Sequence, residues 1–461
     1  MNSNVSDTRP RRCPPFLVLS VLAAVAVAAC DDVLDVTDPS VVDPGALEGP
    51  EGVSTRANGV VRDFQEAYDD YVRYAAMFTD EMILSGTFQG RVEVDDRRIS
   101  RDNVQITGEL YEPLQRARQS TSDLIEDFEE NLDDPEFSSV RGEMEVGLAR
   151  AHLFAGYLRV MLAEMYCNAV TDSLGPALTP DEVMGEALGL LDEAESRADA
   201  LGLADVADAA RVGQARAHLW LGNLEEIEDL TSDVPTGFVH QVQYSENTDD
   251  QENELAQFTW GFSGFLIRWS VGDGTTAERA NEEFAYLDEW VEQGLIDPDP
   301  GLSAQNESVP VVLQMLYDAP DRNMVVASGW EARMIEAEVE LRTGSAGAAE
   351  SDVNDLLTDP DQTANPMLAV NPSLDPGPFE EVDFTGDLSQ DLPQLARARL
   401  AGLWLTGQRQ GTLRRFAEND GIDLYPDRGG DDVCFPIVQQ EVDNNPNLSS
   451  PFCSRIVRDT A

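Results

Sequence analysis

LARAHLFAGYL at 148–158 returns 66 residues later as QARAHLWLGNL at 214–224. The two share a skeleton: a small residue, a leucine four on, and a glycine three further, as Ala149-Leu153-Gly156 and Ala215-Leu219-Gly222. It stands again at Ala337-Leu341-Gly344, and more loosely at Leu400-Trp404-Gly407. The small residue permits close approach of a second helix. The glycine is the usual residue to end a helix in left-handed backbone, so each copy reads as the first arm of a helical hairpin. A spacing of 66 is near twice the tetratricopeptide period of about 34 residues. LEEIEDL after Gly222 and AGAAESDV after Gly344 read as second arms. Gly156 fits less well, because the helical pattern runs on through Met165.

Apolar residues at three- and four-residue steps extend the helical reading outward. Val60, Phe64, Ala67, Tyr71, Tyr74 and Ala75 mark a helix from about Arg56. Leu110, Leu114, Ala117, Leu124 and Phe128 mark another over 103–131, and Leu148 to Met165 a third over 138–167. Residues 232–275 break the pattern. FVHQVQYS and LAQFTWGFSGFLIRWSVG are rich in aromatic and β-branched residues and read as strands and loops. EFAYLDEWVEQ at 283–293 reads as a short helix, and VPVVLQMLY at 309–317 and NMVVAS at 323–328 as extended segments. A Pro/Asp/Gly-rich stretch at 358–392 separates the last two helical units, and the tail after Phe416 is turn-rich.

At the amino terminus, Arg9, Arg11 and Arg12 precede an apolar run from Phe16 to Ala29 that stops at Cys30. This is the layout of a secretory signal, and it is shorter than the about 20 residues a membrane span needs. Val27-Ala28-Ala29-Cys30 resembles the bacterial lipobox, which implies cleavage before Cys30 and acylation of that cysteine; a plain cleaved signal is the alternative. Several acyl chains give stable anchoring. The expected organisation is a lipoprotein signal peptide at 1–29, a lipid-anchored extended tether at 30–55, and a helical domain at 56–461 with a strand/loop insertion near 232–330.

Net charge is -56, from 87 acidic residues against 31 basic ones, every one of them arginine. Such a surface argues against nucleic acid and anionic head groups as partners and for solvation of the chain. With Cys13 in the signal and Cys30 lipidated, Cys167, Cys434 and Cys453 remain. Export permits a disulfide. Cys434 and Cys453 close the shortest loop, in the turn-rich tail, and are the expected pair; Cys167 with either is the alternative.

Catalytic motifs are missing. His152, His218 and His240 form no metal-ligand pair by spacing, and no nucleophile elbow, dinucleotide fingerprint or P-loop occurs. No cofactor is expected; the acidic segment Glu418-Asn-Asp-Gly421 is the one place where a loop-bound Ca²⁺ is considered, although it lacks EF-hand spacing. Aromatics give the stronger lead. Trp260, Phe262, Phe265 and Trp269 cluster in the insertion, with Tyr286 and Trp290 near in sequence and Arg268 among them. Exposed aromatic rings stack on sugars or grip peptides, and the competing reading is a small core beneath the insertion. Trp260, Trp269, Tyr286 and Trp290 are the candidate ligand-binding residues.

The order of features resembles the SusD/RagB family of outer-membrane nutrient-binding lipoproteins. It covers Cys30-Asp-Asp-Val-Leu-Asp-Val-Thr-Asp-Pro39, Phe78-Thr-Asp-Glu81, the arginine-bearing helix at 149–170, and Ile335-Glu-Ala-Glu338 through Gly344, Ala348-Ala349 and Asn354. It continues in LWLTGQRQGTLRRF at 403–416, with Thr406 where the family has Glu, and in Phe435-Pro-Ile437, Glu441 and Asn445-Pro446-Asn447, with Val438 in place of a second proline. The resemblance implies a mainly α fold of the α-α superhelix type, with about four tetratricopeptide-like hairpins packed against an irregular, loop-rich part with a few short strands. It implies a non-catalytic protein on the outer membrane, facing the cell exterior, that captures an oligosaccharide or a peptide. A TonB-dependent SusC-type β-barrel transporter would be its partner. A tetratricopeptide scaffold lipoprotein organising envelope proteins, and a surface glycan hydrolase, are the competing readings.

Overall fold

The computed structural model describes residues 47–248, 251–260, 269–271, 287–297 and 312–448. The signal, Cys30 and most of the tether lie outside the described residues, as do Tyr286, Arg268 and Cys453. The chain divides into two units at Gly52. Of the first, residues 47–52 form a turn and a short 3-10 helix, Pro50–Gly52. The second begins with helix α1, Val53–Phe78, three residues ahead of the expected start.

α1 is amphipathic only in its first half. From Ala67 to Phe78 every residue is buried, which is the mark of a helix enclosed by others rather than lying on a surface. After it come strand β1, Met82–Leu84, and helix α2, Gln89–Asp95. A π-helical segment, Thr107–Tyr111, runs straight into α3, Glu112–Asn131. Next is α4, Arg141–Met165, buried at every position from Ala151 on, which carries the first copy of the repeat. α5, Pro180–Leu201, opens on a Thr179/Glu182 capping box with Pro180 at its first position, a start signal written in TPDE. α6, Ala204–Leu221, and the short α7, Ile227–Thr231, complete this layer.

The insertion follows: β2, Val239–Val242; α8, Glu254–Trp260; β3, Trp269–Val271; α9, Leu287–Glu292; β4, Ile296–Asp297; β5, Leu313–Gln314; and β6, Met324–Ser328. These strands pair antiparallel in twos, β1 with β3, β2 with β6 and β4 with β5. Residues 254–260, expected within a run of strands and loops, are helix. Asp69 of α1 accepts from the backbone N–H groups of Glu254 and Leu255, and this tertiary cap outweighs the local aromatic pattern. The last layer holds α10, Gly329–Arg342; α11, Ala346–Leu357; α12, Pro366–Val370; α13, Leu388–Leu403; α14, Gln408–Arg415; and α15, Gln439–Asn444. The protein is mainly helical, with helical hairpins packed against a less regular part, as expected. No helix among the described residues is long and apolar enough to cross a membrane.

The repeated glycine does two different jobs. Gly222 (φ +75°) and Gly344 (φ +87°) leave the helix in left-handed backbone, as a hairpin end requires. Gly156 stays inside α4, where a Cβ would come 2.5 Å from Leu191 Cγ of α5; there the glycine sets how closely the two helices approach.

The expected disulfide is overturned as well. Cys434 is bonded to Cys167, with Cα atoms 5.1 Å apart, and not to Cys453. The end of α4 and the tail run side by side: Cys167 N–H donates to Phe435 O (2.9 Å) and Phe435 N–H to Met165 O (2.8 Å). Backbone pairing sets the two sulfurs together across 267 residues, and loop length was the wrong criterion.

Candidate functional site

α14, QRQGTLRR, is the most polar helix among the described residues, and all of it is buried. Its side chains explain why. Gln408 donates to Glu331 (2.8 Å), Arg409 to Thr79 O (3.2 Å), and Gln410 to Glu164 O (3.1 Å) and Val433 O (3.0 Å). Arg414 satisfies the carbonyls of Ala163 (2.9 Å) and Tyr166 (2.8 Å), two of the acceptors that the end of α4 leaves open. Arg415 pairs with Glu338 of α10, which also receives Arg399 (2.7 Å) and Arg342 (2.9 Å). Three guanidiniums hold the Glu338 carboxyl far below the usual range despite its complete burial. Glu331, buried beside a neutral glutamine and 3.8 Å from Arg216, is pushed up to about 7 by desolvation.

The turn before α14 is braced as heavily. Leu405 (φ +55°) and Gly407 (φ +77°) are both left-handed. The hydroxyls of Tyr68, Tyr71 and Tyr317 donate to Thr406 O, Gly407 O and Leu405 O, and Glu81 accepts from Leu405 N–H (2.9 Å). Asp80 pairs with Arg428. Asn354 clamps Val382 through both its backbone groups, and Asn445 donates to Gly175 O (2.9 Å). The motif residues singled out in the sequence are therefore braces between distant segments. The acidic segment at 418–421 belongs to the same scheme: Glu418 is held by Arg414 (3.0 Å) and Asp420 by Arg342 (2.8 Å). A cleft of about 460 Å³ opens beside this network, but Trp220 in its wall is buried and donates to Asp181 (2.9 Å).

The corner where α1 meets the insertion is built differently. β3 pairs with β1 in the register Leu84↔Trp269, so the insertion returns to the end of α1. Arg73 of α1 is buried and paired with Asp70 and with Glu254 of α8. The Phe258 ring lies between two guanidiniums, Arg73 at 4.4 Å and Arg91 of α2 at 4.7 Å, within cation–π range. Arg91 is held by Glu109 (2.8 Å), which also accepts from Tyr74 (2.6 Å), and lies 5.2 Å from the Phe88 ring. Phe88 is 42% exposed and is the only aromatic among the exposed large apolar side chains of the described residues. Burial and the neighbouring Glu254 push the Asp69 carboxyl up to about 7. The result is a ledge of alternating rings and guanidiniums, Phe88–Arg91–Phe258–Arg73, that ends at the exposed Phe88.

The four aromatic candidates separate against this ledge. Trp260 ends α8 half-buried, its indole N–H donating to Gln314 O (3.0 Å). Trp269 belongs to β3 by its backbone, and its side chain, like Tyr286, lies outside the described residues. Trp290 is not a surface platform. It is 2% exposed, edge-on to Trp404 with ring centroids 4.8 Å apart, and belongs to the core. Sequence reasoning missed Phe88. A single aromatic in the turn-rich stretch SGTFQG was the signal that could have found it.

No family model and no curated protein matches the sequence. Solved structures do. A SusD superfamily protein from Bacteroides thetaiotaomicron VPI-5482 is 14% identical, with a TM-score of 0.62, covering 87% of this chain and 99% of its own. NanU from Bacteroides fragilis is 11% identical at a TM-score of 0.58, covering 88% of this chain and 99% of its own. Surface glycan-binding protein A from Bacteroides uniformis is 14% identical at 0.55, covering 87% and 98%. Across nearly nine-tenths of its length, the chain has the SusD-like fold.

Proposed function

We propose that the protein is a non-catalytic, cell-surface binder of glycans in nutrient uptake, anchored through a lipid on Cys30. It captures an oligosaccharide outside the outer membrane and delivers it to a TonB-dependent β-barrel transporter of the SusC type. The observation that carries the ligand reading is the exposed Phe88 at the end of a ring-and-guanidinium ledge, on a fold shared with a surface glycan-binding protein. A sugar ring offers an apolar face to an aromatic and hydroxyls to an arginine, so this pairing suits a glycan. Trp260, half-buried at the end of α8, lies at the same corner and extends the candidate surface. The net charge of -56 favours neutral glycans over polyanionic ones.

The test is titration of the full chain with a panel of neutral and acidic oligosaccharides, repeated with Phe88→Ala and Trp260→Ala. Saturable binding of at least one neutral glycan, weakened by Phe88→Ala, is expected. Binding to none, or release of cleaved product, would reject the reading. Pull-down from solubilised membranes tests the partner: a large β-barrel protein should accompany the chain, and recovery of free monomer alone would remove the delivery step.

A further inference from the structure

α3, α4 and α5 each contribute one side chain to a point on the flank of the bundle: Glu129, His152 and Glu193. One potential ligand atom from each lies within 4.8 Å of the other two. His152 is 6% exposed, and neither ring nitrogen has a hydrogen-bond partner. Its Nε2 faces Glu129 Oε1 at 3.6 Å, too long for a hydrogen bond. A buried imidazole whose Nδ1 is unmatched and whose Nε2 meets only a distant carboxylate is costly, and a native fold keeps such a group for a reason.

The cation now between these carboxylates is Arg197 of α5. Its Nη2 donates to Glu129 Oε1 (2.7 Å), and its Nε stands 2.7 Å from Glu193 Oε1. The arginine neutralises the carboxylates but leaves the imidazole with only its long contact to Glu129. Its side chain is 23% exposed, so it can swing into solvent.

We propose that Glu129, His152 and Glu193 form a three-ligand site for a divalent transition metal of the zinc class, which takes the place of the Arg197 guanidinium. One imidazole nitrogen and two carboxylates are a donor set such ions accept, with a fourth position left to water. Ca²⁺ and Mg²⁺ prefer oxygen ligands throughout and gain little from the histidine. The neutral imidazole is the form that binds such an ion. The site would tie three consecutive helices together. The second copy of the repeat gives an internal contrast. His218 holds the position equivalent to His152, but its Nδ1 lies 3.4 Å from Asn223 Nδ2, and it belongs to no such group of ligands among the described residues.

Full chain freed of metal is titrated with Zn²⁺, and with Co²⁺ as a visible probe, in a background of excess Ca²⁺ that saturates diffuse acidic sites. One equivalent of Zn²⁺ should bind saturably and raise the melting temperature, and Co²⁺ should give a d–d absorption band. His152→Gln should abolish the band and weaken Zn²⁺ binding by more than the roughly 10–100-fold typical of losing a supporting residue. Arg197→Met should tighten binding, because the resident cation is gone. If His152→Gln fails to fold, Glu193→Gln on the half-exposed face of α5 carries the same test. Absence of a saturable equivalent in the parent, or equal affinity in the parent and the folded variant, would overturn the site. Binding of Zn²⁺ that Ca²⁺ displaces would do so as well.

Discussion

The α14 network and the Phe88 corner are both built from arginine, carboxylate and aromatic groups, yet they put them to opposite uses. Around α14 each named guanidinium ends on a carboxylate or a backbone carbonyl inside the protein, and Glu338 alone takes three. At the corner the chain of contacts runs outward, from buried Arg73 through Phe258 and Arg91 to a ring that is 42% exposed. One arrangement keeps its polar groups inside, holding segments together, and the other ends at a ring exposed to solvent. Substitution should therefore damage the fold in the first region and recognition in the second.

The largest effect is expected at Glu338. Glu338→Ala leaves three arginines without their shared counter-ion in a fully buried site. Breaking one partner of a buried pair costs about 3–5 kcal/mol, and the loss here should reach the top of that range or prevent folding. Chemical denaturation measures it. A loss under about 1 kcal/mol would mean that the network is solvated and is not a brace.

Next in size is the bridge from α4 to the tail. Cys167→Ser should cost about 2–5 kcal/mol under oxidising conditions. Under reducing conditions the parent and the variant should melt together. Mass mapping of the oxidised chain should recover a peptide joining Cys167 to Cys434; a Cys434–Cys453 peptide would contradict the packing at Phe435.

Glu331 gives a smaller, pH-dependent effect within the same network. Its folded pKa, about 7, lies above the ordinary 4.5, so the folded chain holds a proton that the unfolded chain has released. That contribution to stability is complete below the ordinary value and is lost as pH rises through the folded one. The melting temperature should fall between about pH 5 and 8, by on the order of 1–3 kcal/mol in stability. Glu331→Gln, which can still accept from Gln408, should flatten part of the slope. Asp69, also near 7, carries another part, so Asp69→Asn in the same background should flatten it further.

How much of this was legible in the sequence follows the same division. Periodicity found the helices, and the glycine of the repeat found two hairpin ends, because those signals are local. The order of motifs pointed to the fold because each motif names a brace: Glu81 meets Leu405, Asn354 meets Val382, and the buried arginines meet Glu338. Nothing local distinguishes a brace from a ligand contact, since both are polar residues in helix ends and turns. The same blindness misplaced Trp290, whose partner Trp404 is over a hundred residues away. It also misread 254–260, whose helix start is capped from α1. The disulfide failed for this reason too: sequence shows separation along the chain, and the bond follows proximity across it.

The smallest expected effect on stability decides most about function. Phe88 lies on a loop before α2, and removing an exposed ring should change stability by no more than about 0.5 kcal/mol. Phe88→Ala should therefore melt with the parent. If the corner is the ligand surface, the same change should weaken glycan binding about tenfold or more, since base and sugar stacking on an aromatic is typically a 1–3 kcal/mol contact. Arg91→Ala sharpens the result. It removes the guanidinium between the two rings and uncovers Glu109, so it should lower both binding and stability, whereas Phe88→Ala lowers binding alone. Equal binding in parent and Phe88→Ala would mean that the ring is an ordinary exposed aromatic. The contrast between the two regions would then describe packing and would say nothing about recognition.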